Sequence, residues 1–145
     1  MNILVAVDLS QATSKVIEAA SGIANFTGAH IHVLHIVEAD ADFIGDNAVA
    51  EIHQAQVARD FPVEYNRVKT LVNKLKSDGL EASTCLVRGP AITTTLKEAD
   101  RLEAGLIVLG THGRGAVYDV LIGSYSAGII RKSKLPVLVV PIQDD

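Results

Sequence analysis

The distribution of apolar residues limits the fold of this chain more than any other feature of its sequence. Short apolar runs rich in β-branched residues alternate with segments in which apolar residues recur at helical spacing. Unbroken apolar runs of this length are typical of strands that are buried on both faces, as in parallel sheets covered by crossover helices. The sequence therefore predicts an α/β fold with a parallel sheet and helices on both of its faces.

The same patterns predict the positions of the elements. Strands are predicted at residues 3–7, 29–37, 80–87, 106–109 and 135–142. Ser10 or Thr13 can cap the first helix and Gly28 can end it. The second helix begins near Pro62 and ends at Gly79, and the fourth covers residues 124–134. Residues 38–60 have weaker periodicity, and no element is predicted there.

The third helix has the strongest start and stop signals. Pro90 can occupy its first turn, and Gly105 lies just past its expected end. Its inward face is predicted to consist of Ile92, Leu96, Ala99 and Leu102.

Composition excludes several classes of function. The 145 residues carry a net charge of −4 and only 4% aromatic residues, which disfavours nucleic-acid binding. No apolar run approaches the roughly 20 residues that span a bilayer, and the start does not suit a signal peptide, so we expect no membrane insertion. The single cysteine cannot form an internal disulfide, which favours a reducing, cytoplasmic compartment. Because Cys85 lies in an apolar run, we expect it in the core. One domain covering residues 1–145 is expected.

Glycines after the predicted fourth strand indicate an anion site. Asp8 ends the first strand and Gly110 the fourth, so both lie at the carboxyl edge, where open α/β sheets bind ligands. Gly113 and Gly115 follow, and Gly123 precedes the last helix. Glycines let backbone amides approach an anion closely, and a helix amino end adds a favourable dipole. Phosphate is the ligand that this pattern favours.

A longer motif carries a family resemblance. Gly110-x-x-Gly113 is followed after nine residues by Gly123-Ser124, and the chain closes with the apolar run 136–140. Together with the opening run that ends at Asp8, these segments resemble the ATP-binding branch of the universal stress protein family over the whole chain. The resemblance implies a three-layer, Rossmann-like fold of the adenine nucleotide alpha hydrolase type, with a five-stranded parallel sheet of strand order 3-2-1-4-5.

The resemblance also implies the ligand and the residues that hold it. The ligand is ATP, with Mg²⁺ bound through its phosphates. Asp8 and Leu9 should lie by the adenosine, and the backbone of Ile36 should meet the edge of the adenine. The ribose and phosphates should be lined by Gly110, His112, Gly113, Gly123, Ser124, Tyr125 and Ser126. No catalytic residue and no metal ligand from the protein are implied.

Three functions remain open at this point. The resemblance favours an ATP-dependent regulatory sensor that forms a homodimer, or a higher oligomer, through its last strand, with an unidentified client such as a membrane transporter. A slow ATPase or phosphate-transferring enzyme is the alternative, with His112 or Asp8 as candidate acid or base. A nucleotide-free interaction protein is the third, although the intact glycine motif argues against it.

Other sites are disfavoured by the residues themselves. His30 and His32 should face one side of the second strand and His35 the other, so they share no metal site. No Gly-x-x-x-x-Gly-Lys motif occurs, which excludes a P-loop. Ser126 lacks the preceding glycine and strand of a hydrolase elbow.

Overall fold

One parallel sheet organises the molecule. The computed structural model describes residues 1–37, 54–112 and 122–143. The strands are β1 (Asn2–Ala6), β2 (His30–Val37), β3 (Ala82–Arg88), β4 (Ala104–Gly110) and β5 (Val137–Val140). The helices in these ranges are α1 (Thr13–Thr27), α2 (Gln54–Asp60), α3 (Pro62–Ser77), α4 (Ala91–Arg101) and α5 (Ser124–Lys132). The strand order β3-β2-β1-β4-β5, with every pair parallel, confirms the predicted fold class.

Each face of the sheet has its own apolar layer. Alternate residues of β1 belong to different layers, because Ile3 and Val5 face one side of the sheet while Leu4 faces the other. The first layer packs against α1, α2 and α3, and the second against α4 and α5. This arrangement explains why the strands read as unbroken apolar runs.

The strand order places a switch point between β1 and β4. From β1 the chain moves through β2 to β3 at one edge, and it then crosses back to β4 on the other side of β1. In open α/β sheets the crevice at such a reversal, outside the carboxyl ends of the strands, is where ligands bind. The loops after β1 and β4 are therefore the ones that matter for function.

The start of α1 differs from the prediction. Ala12 occupies the N-cap position, and no side chain caps the helix. The Ser10 hydroxyl instead accepts a hydrogen bond from the Ala12 amide at 3.2 Å, one residue before the helix begins. Thr13 is the first helical residue, and its Oγ1 is buried without a partner among the described residues. The predicted end is correct, since Gly28 adopts a left-handed conformation with φ 73°.

The end and the buried face of α4 also differ from the prediction. The helix ends at Arg101, and Glu103 rather than Gly105 takes the left-handed conformation, with φ 50°. Gly105 lies inside β4. The fully buried side chains of α4 are Thr94, Thr95, Glu98 and Ala99, whereas Ile92, Leu96 and Leu102 are only partly buried. Two of the polar ones have partners that offset their burial, since the Thr95 hydroxyl donates to the Ala91 carbonyl at 2.7 Å and Glu98 forms a 2.6 Å ion pair with Arg101.

The last two elements are shorter than the sequence predicts. The helix α5 stops at Lys132, because Ser133 turns to an extended conformation and its hydroxyl accepts the Leu135 amide at 3.0 Å. The strand β5 lies between Pro136 and Pro141. Proline lacks an N–H group for the ladder, so both prolines fall at the limits of the strand.

Two further sequence expectations concern single features. Within residues 1–37, 54–112 and 122–143, no helix is long and apolar enough to cross a membrane. Cys85 is buried in the second apolar layer, and burial raises the pKa of its thiol to about 12. A thiol with such a pKa is unreactive near neutral pH, in keeping with a core residue.

Candidate functional site

Asp8 lies in the loop that follows β1. Hydrogen bonding to the sheet continues one residue past the strand, where the Val7 amide donates to the Leu34 carbonyl at 2.9 Å. One carboxylate oxygen of Asp8, Oδ1, accepts the Ser10 amide at 3.0 Å and shapes the turn into α1. The other, Oδ2, is buried and has no hydrogen-bond partner among the described residues. An acceptor of this kind is available to a ligand donor.

Leu9 offers its backbone to this edge. Its side chain is 5% exposed and belongs to the first apolar layer. Its φ of 63° lies in the left-handed region, which is uncommon for a residue other than glycine. The Leu9 carbonyl accepts a hydrogen bond from Nη2 of Arg67 in α3. No local sequence signal points to Arg67, because 58 positions separate the two residues.

Gly110 and the two residues after it form the other side of the switch point. A Cβ atom at Gly110 would lie 3.0 Å from Cγ1 of Ile142 and 3.2 Å from the carbonyl of His112. Thr111 fixes the following turn, since its amide donates to the Val140 carbonyl and its Oγ1 accepts the Ile142 amide. His112 is buried, with its Nδ1 3.1 Å from Oγ1 of Thr111.

The amino end of α5 is joined directly to this turn. The amide of Gly123, the N-cap residue, donates to the Thr111 carbonyl at 2.8 Å. The first bond of the helix runs from the Ala127 amide to the Gly123 carbonyl. Helix geometry therefore leaves the N–H groups of the three residues at 124–126 without partners inside the helix. Such donors, together with the helix dipole, favour an anion.

The side chains of Tyr125 and Ser126 are used inside the protein. The Tyr125 hydroxyl lies 2.7 Å from Oγ1 of Thr95 in α4, and burial raises the pKa of this phenol to about 12. The Ser126 hydroxyl donates to the Gly110 carbonyl at 2.6 Å and is 3% exposed. These residues therefore offer their backbone amides to a ligand, while the side chain of Ser124 is exposed.

The remaining predicted site residues fall in two groups. Ile36 lies near the carboxyl end of β2, beyond the last residue that β2 pairs with β1, and its side chain packs in the second apolar layer. Gly113 lies outside the described residues, as do residues 114–121. The described part of the chain thus gathers Asp8, Leu9, Ile36, Gly110, His112 and residues 123–126 around the carboxyl ends of the strands.

The three histidines of β2 serve structural contacts. The rings of His30 and His32 stack with centroids 4.3 Å apart, while Nδ1 of His35 donates to the Val7 carbonyl at 2.9 Å. Nε2 of His32 lies 3.2 Å from Oδ1 of Asn2. Burial, assisted by nearby His30 and Arg101, lowers the pKa of His32 to about 4.

The lowered pKa of His32 predicts a pH dependence of stability. Unfolded chains take up a proton at this position below about pH 6.5, whereas the folded protein resists protonation until about pH 4. The free energy of unfolding should therefore fall as the pH falls from about 6.5 toward 4. Urea unfolding across this range measures the slope. His32→Gln keeps a donor near Asn2 without a titrating ring, so its slope should be shallower, and identical slopes would refute the assignment.

A shallow groove of about 610 Å³ lies between α1 and β5. It is lined by Lys15, Glu18, Ala19, Gly22, Ile23, Phe26 and Val140. None of the predicted site residues lines it, so this groove is separate from the carboxyl-edge site.

Comparison with known proteins gives consistent results. The model of the universal stress protein family matches residues 1–141. The chain is 30% identical over 138 residues to the universal stress protein in QAH/OAS sulfhydrylase 3′ region of Thermus aquaticus, covering 95% of this chain and 96% of the relative. It is 28% identical over 144 residues to universal stress protein YxiE of Bacillus subtilis, covering 94% and 96%.

Solved structures share the fold at low sequence identity. Protein MJ0577 of Methanocaldococcus jannaschii aligns with a TM-score of 0.80 and 21% identity, covering 99% of this chain and 97% of that one. A universal stress protein from Archaeoglobus fulgidus in complex with dAMP aligns with a TM-score of 0.70 and 21% identity, covering 97% of both chains. A universal stress protein in complex with cAMP aligns equally well, with 97% and 96% covered.

Proposed function

Because the chain belongs to the universal stress protein family, we propose that it is a nucleotide-binding regulatory protein that holds ATP at the carboxyl edge between β1 and β4. The observation that carries this proposal is the set of three backbone N–H groups at residues 124–126, which lack helical partners. Hydrogen bonds of Gly123 to Thr111 and of Ser126 to Gly110 hold this end of α5 against the end of β4.

The phosphates are proposed to lie at the amino end of α5. Backbone N–H groups and the positive end of the helix dipole suit a triphosphate. The residues beside them, Gly110 and Gly123, have no side chain to obstruct it, and a Cβ atom at Gly123 would lie 3.4 Å from the Thr111 carbonyl. The family resemblance adds Gly113 to the phosphate contacts and His112 to the surrounding residues.

The adenosine is proposed to lie toward β1 and β2. The buried Oδ2 atom of Asp8 lacks a partner among the described residues, so a hydroxyl or amino group of the ligand would satisfy it. The backbones of Leu9 and Ile36 are proposed to line the same end. The relatives solved with dAMP and with cAMP support an adenine nucleotide as the ligand.

Mg²⁺ is proposed to enter with the nucleotide. Within the described ranges, no three His, Cys, Asp or Glu residues form a group that could hold a metal ion. Mg²⁺ prefers oxygen ligands and keeps several of its waters. Phosphate oxygens would therefore supply the ligands that are not water. The bound ion would neutralise part of the phosphate charge.

The proposed role is that of a sensor. We propose a single domain over residues 1–145 that changes a surface presented to a client when ATP binds, with a membrane transporter as one class of client. The single cysteine favours the cytoplasm as its compartment. Mass spectrometry of the nucleotide released from freshly purified protein tests this role, because a nucleotide-free interaction protein would release none.

Slow turnover distinguishes the sensor from the enzyme alternative. Phosphoryl transfer needs an oriented water and groups that stabilise the transition state more than the bound ATP. Asp8 is proposed to face the adenosine and not the phosphates, and His112 is buried beside Thr111. We therefore expect the protein to retain intact ATP, with turnover well below the order of 1 s⁻¹ typical of enzymes. Sustained phosphate release at that rate, lost when ATP binding is lost, would favour the enzyme.

A further inference from the structure

Two side chains hold the backbone on either side of Asp8. Nδ1 of His35 donates to the Val7 carbonyl at 2.9 Å, and the Arg67 guanidinium donates to the Leu9 carbonyl. The first contact comes from β2 and the second from α3, so both partners belong to elements outside the loop. Asp8 is thus held between two carbonyl groups whose directions are fixed.

Leu9 is the position where this restraint has the greatest effect. Its left-handed backbone is unfavourable for a residue with a Cβ atom, so the surrounding structure must maintain it. The guanidinium bond to its carbonyl supplies part of that restraint, together with the buried Leu9 side chain and the bond from the Ser10 amide to Oδ1 of Asp8. A change in the Leu9 conformation would rotate the peptide that follows Asp8 and would alter the direction of the Asp8 carboxylate.

We propose that Arg67 is a positioning residue for the adenosine end of the nucleotide site, acting on Asp8 through the Leu9 carbonyl. This inference rests on the proposed function. Arg67 belongs to α3, which packs against the first apolar layer, whereas α5 packs against the second layer on the opposite face of the sheet. Its influence should therefore be confined to the adenosine and should not extend to the phosphates.

The test separates the two ends of the ligand. Arg67→Met should weaken binding of ATP and of adenosine by about tenfold each, measured by calorimetry on the full chain. Binding of inorganic tripolyphosphate, measured by competition against ATP, should be unchanged. Arg67→Lys keeps a donor and should recover part of the lost affinity. Lys69→Met is the matched control, because it removes a charge from the same helix at a residue that lies over Tyr65. It should leave the affinities for ATP, adenosine and tripolyphosphate unchanged.

A double-mutant cycle tests whether Arg67 acts through Asp8. Arg67→Met in an Asp8→Asn background should cost clearly less than tenfold in adenosine affinity, since the carboxylate that it positions is already lost. Additive effects, an unchanged adenosine affinity in Arg67→Met, or an equal loss for tripolyphosphate would overturn the proposal. Wild-type protein that binds neither ATP nor adenosine would instead overturn the proposed function itself.

Discussion

Replacing Ser124 with proline should weaken ATP binding by about thirtyfold and leave the fold intact. Ser124 is the first residue of α5, a position that proline favours because its N–H has no helical partner. Gly123, with φ −70° and ψ 164°, already has the extended backbone that a residue before proline requires. The variant deletes one N–H group from the proposed phosphate site, and a hydrogen bond to a charged group contributes about 2 kcal/mol.

Calorimetry and thermal unfolding of the same samples measure the two parts of this prediction. Ser124→Ala is the matched control, because it removes the hydroxyl and keeps the N–H group, so its loss of affinity should be much smaller. Adenosine binding should be unchanged in both variants, since the proposed adenosine site lies toward β1. Equal affinities for ATP in Ser124→Pro and the wild type would show that the phosphates do not lie at the start of α5.

Replacing Val139 with proline should shift the proposed homodimer toward monomers. The Pro136 carbonyl accepts the amide of Ile107 in β4, and the Val140 carbonyl accepts the amide of Thr111 just after β4, so alternate residues along β5 face β4. The backbone groups of Val137 and Val139 then point away from the sheet and form an edge that no other described strand pairs with. Such an edge is a template for pairing, and a second copy of β5 running antiparallel would satisfy it through a two-fold axis.

The variant removes a donor that faces the partner and spares the bonds to β4. Because both copies carry the substitution, the dimer loses two symmetry-related hydrogen bonds. At about 1 kcal/mol for each bond, the dimer should weaken by roughly thirtyfold. Val139→Lys, which places a charge at the edge, should act in the same direction, and Val139→Thr should keep the dimer. Light scattering across a concentration series measures the mass. A wild-type protein that is monomeric at high concentration would end the idea.

Local sequence patterns predict the strands well and the helix ends less well. Buried parallel strands leave a clear signal, because both of their faces are apolar. The end of α4 was misplaced because glycine at 105 is the usual stop signal, whereas Glu103 takes the left-handed conformation. The burial of Thr95 and Glu98 depends on partners that the apolar pattern does not reveal, Tyr125 and Arg101. The helix α2 falls in the segment whose periodicity was too weak to predict an element.

The candidate site shows the same division between local and long-range information. Glycines and the start of a helix are local features, so the end of β4 at Gly110 and the start of α5 at Ser124 could be predicted from the sequence. The contact between Arg67 and Leu9 joins α3 to the loop after β1, and no spacing rule predicts it. The hydroxyl groups of Tyr125 and Ser126 resemble ligand contacts in the sequence, but the fold directs them to Thr95 and Gly110.

Calorimetric titration of nucleotide-free protein with ATP in the presence of Mg²⁺ tests the central claim most directly. The account predicts saturable binding of one ATP per chain, lower affinity for Ser124→Pro, and intact ATP recovered from the calorimeter cell after the titration. An absence of binding at millimolar ATP by protein that unfolds cooperatively would contradict it.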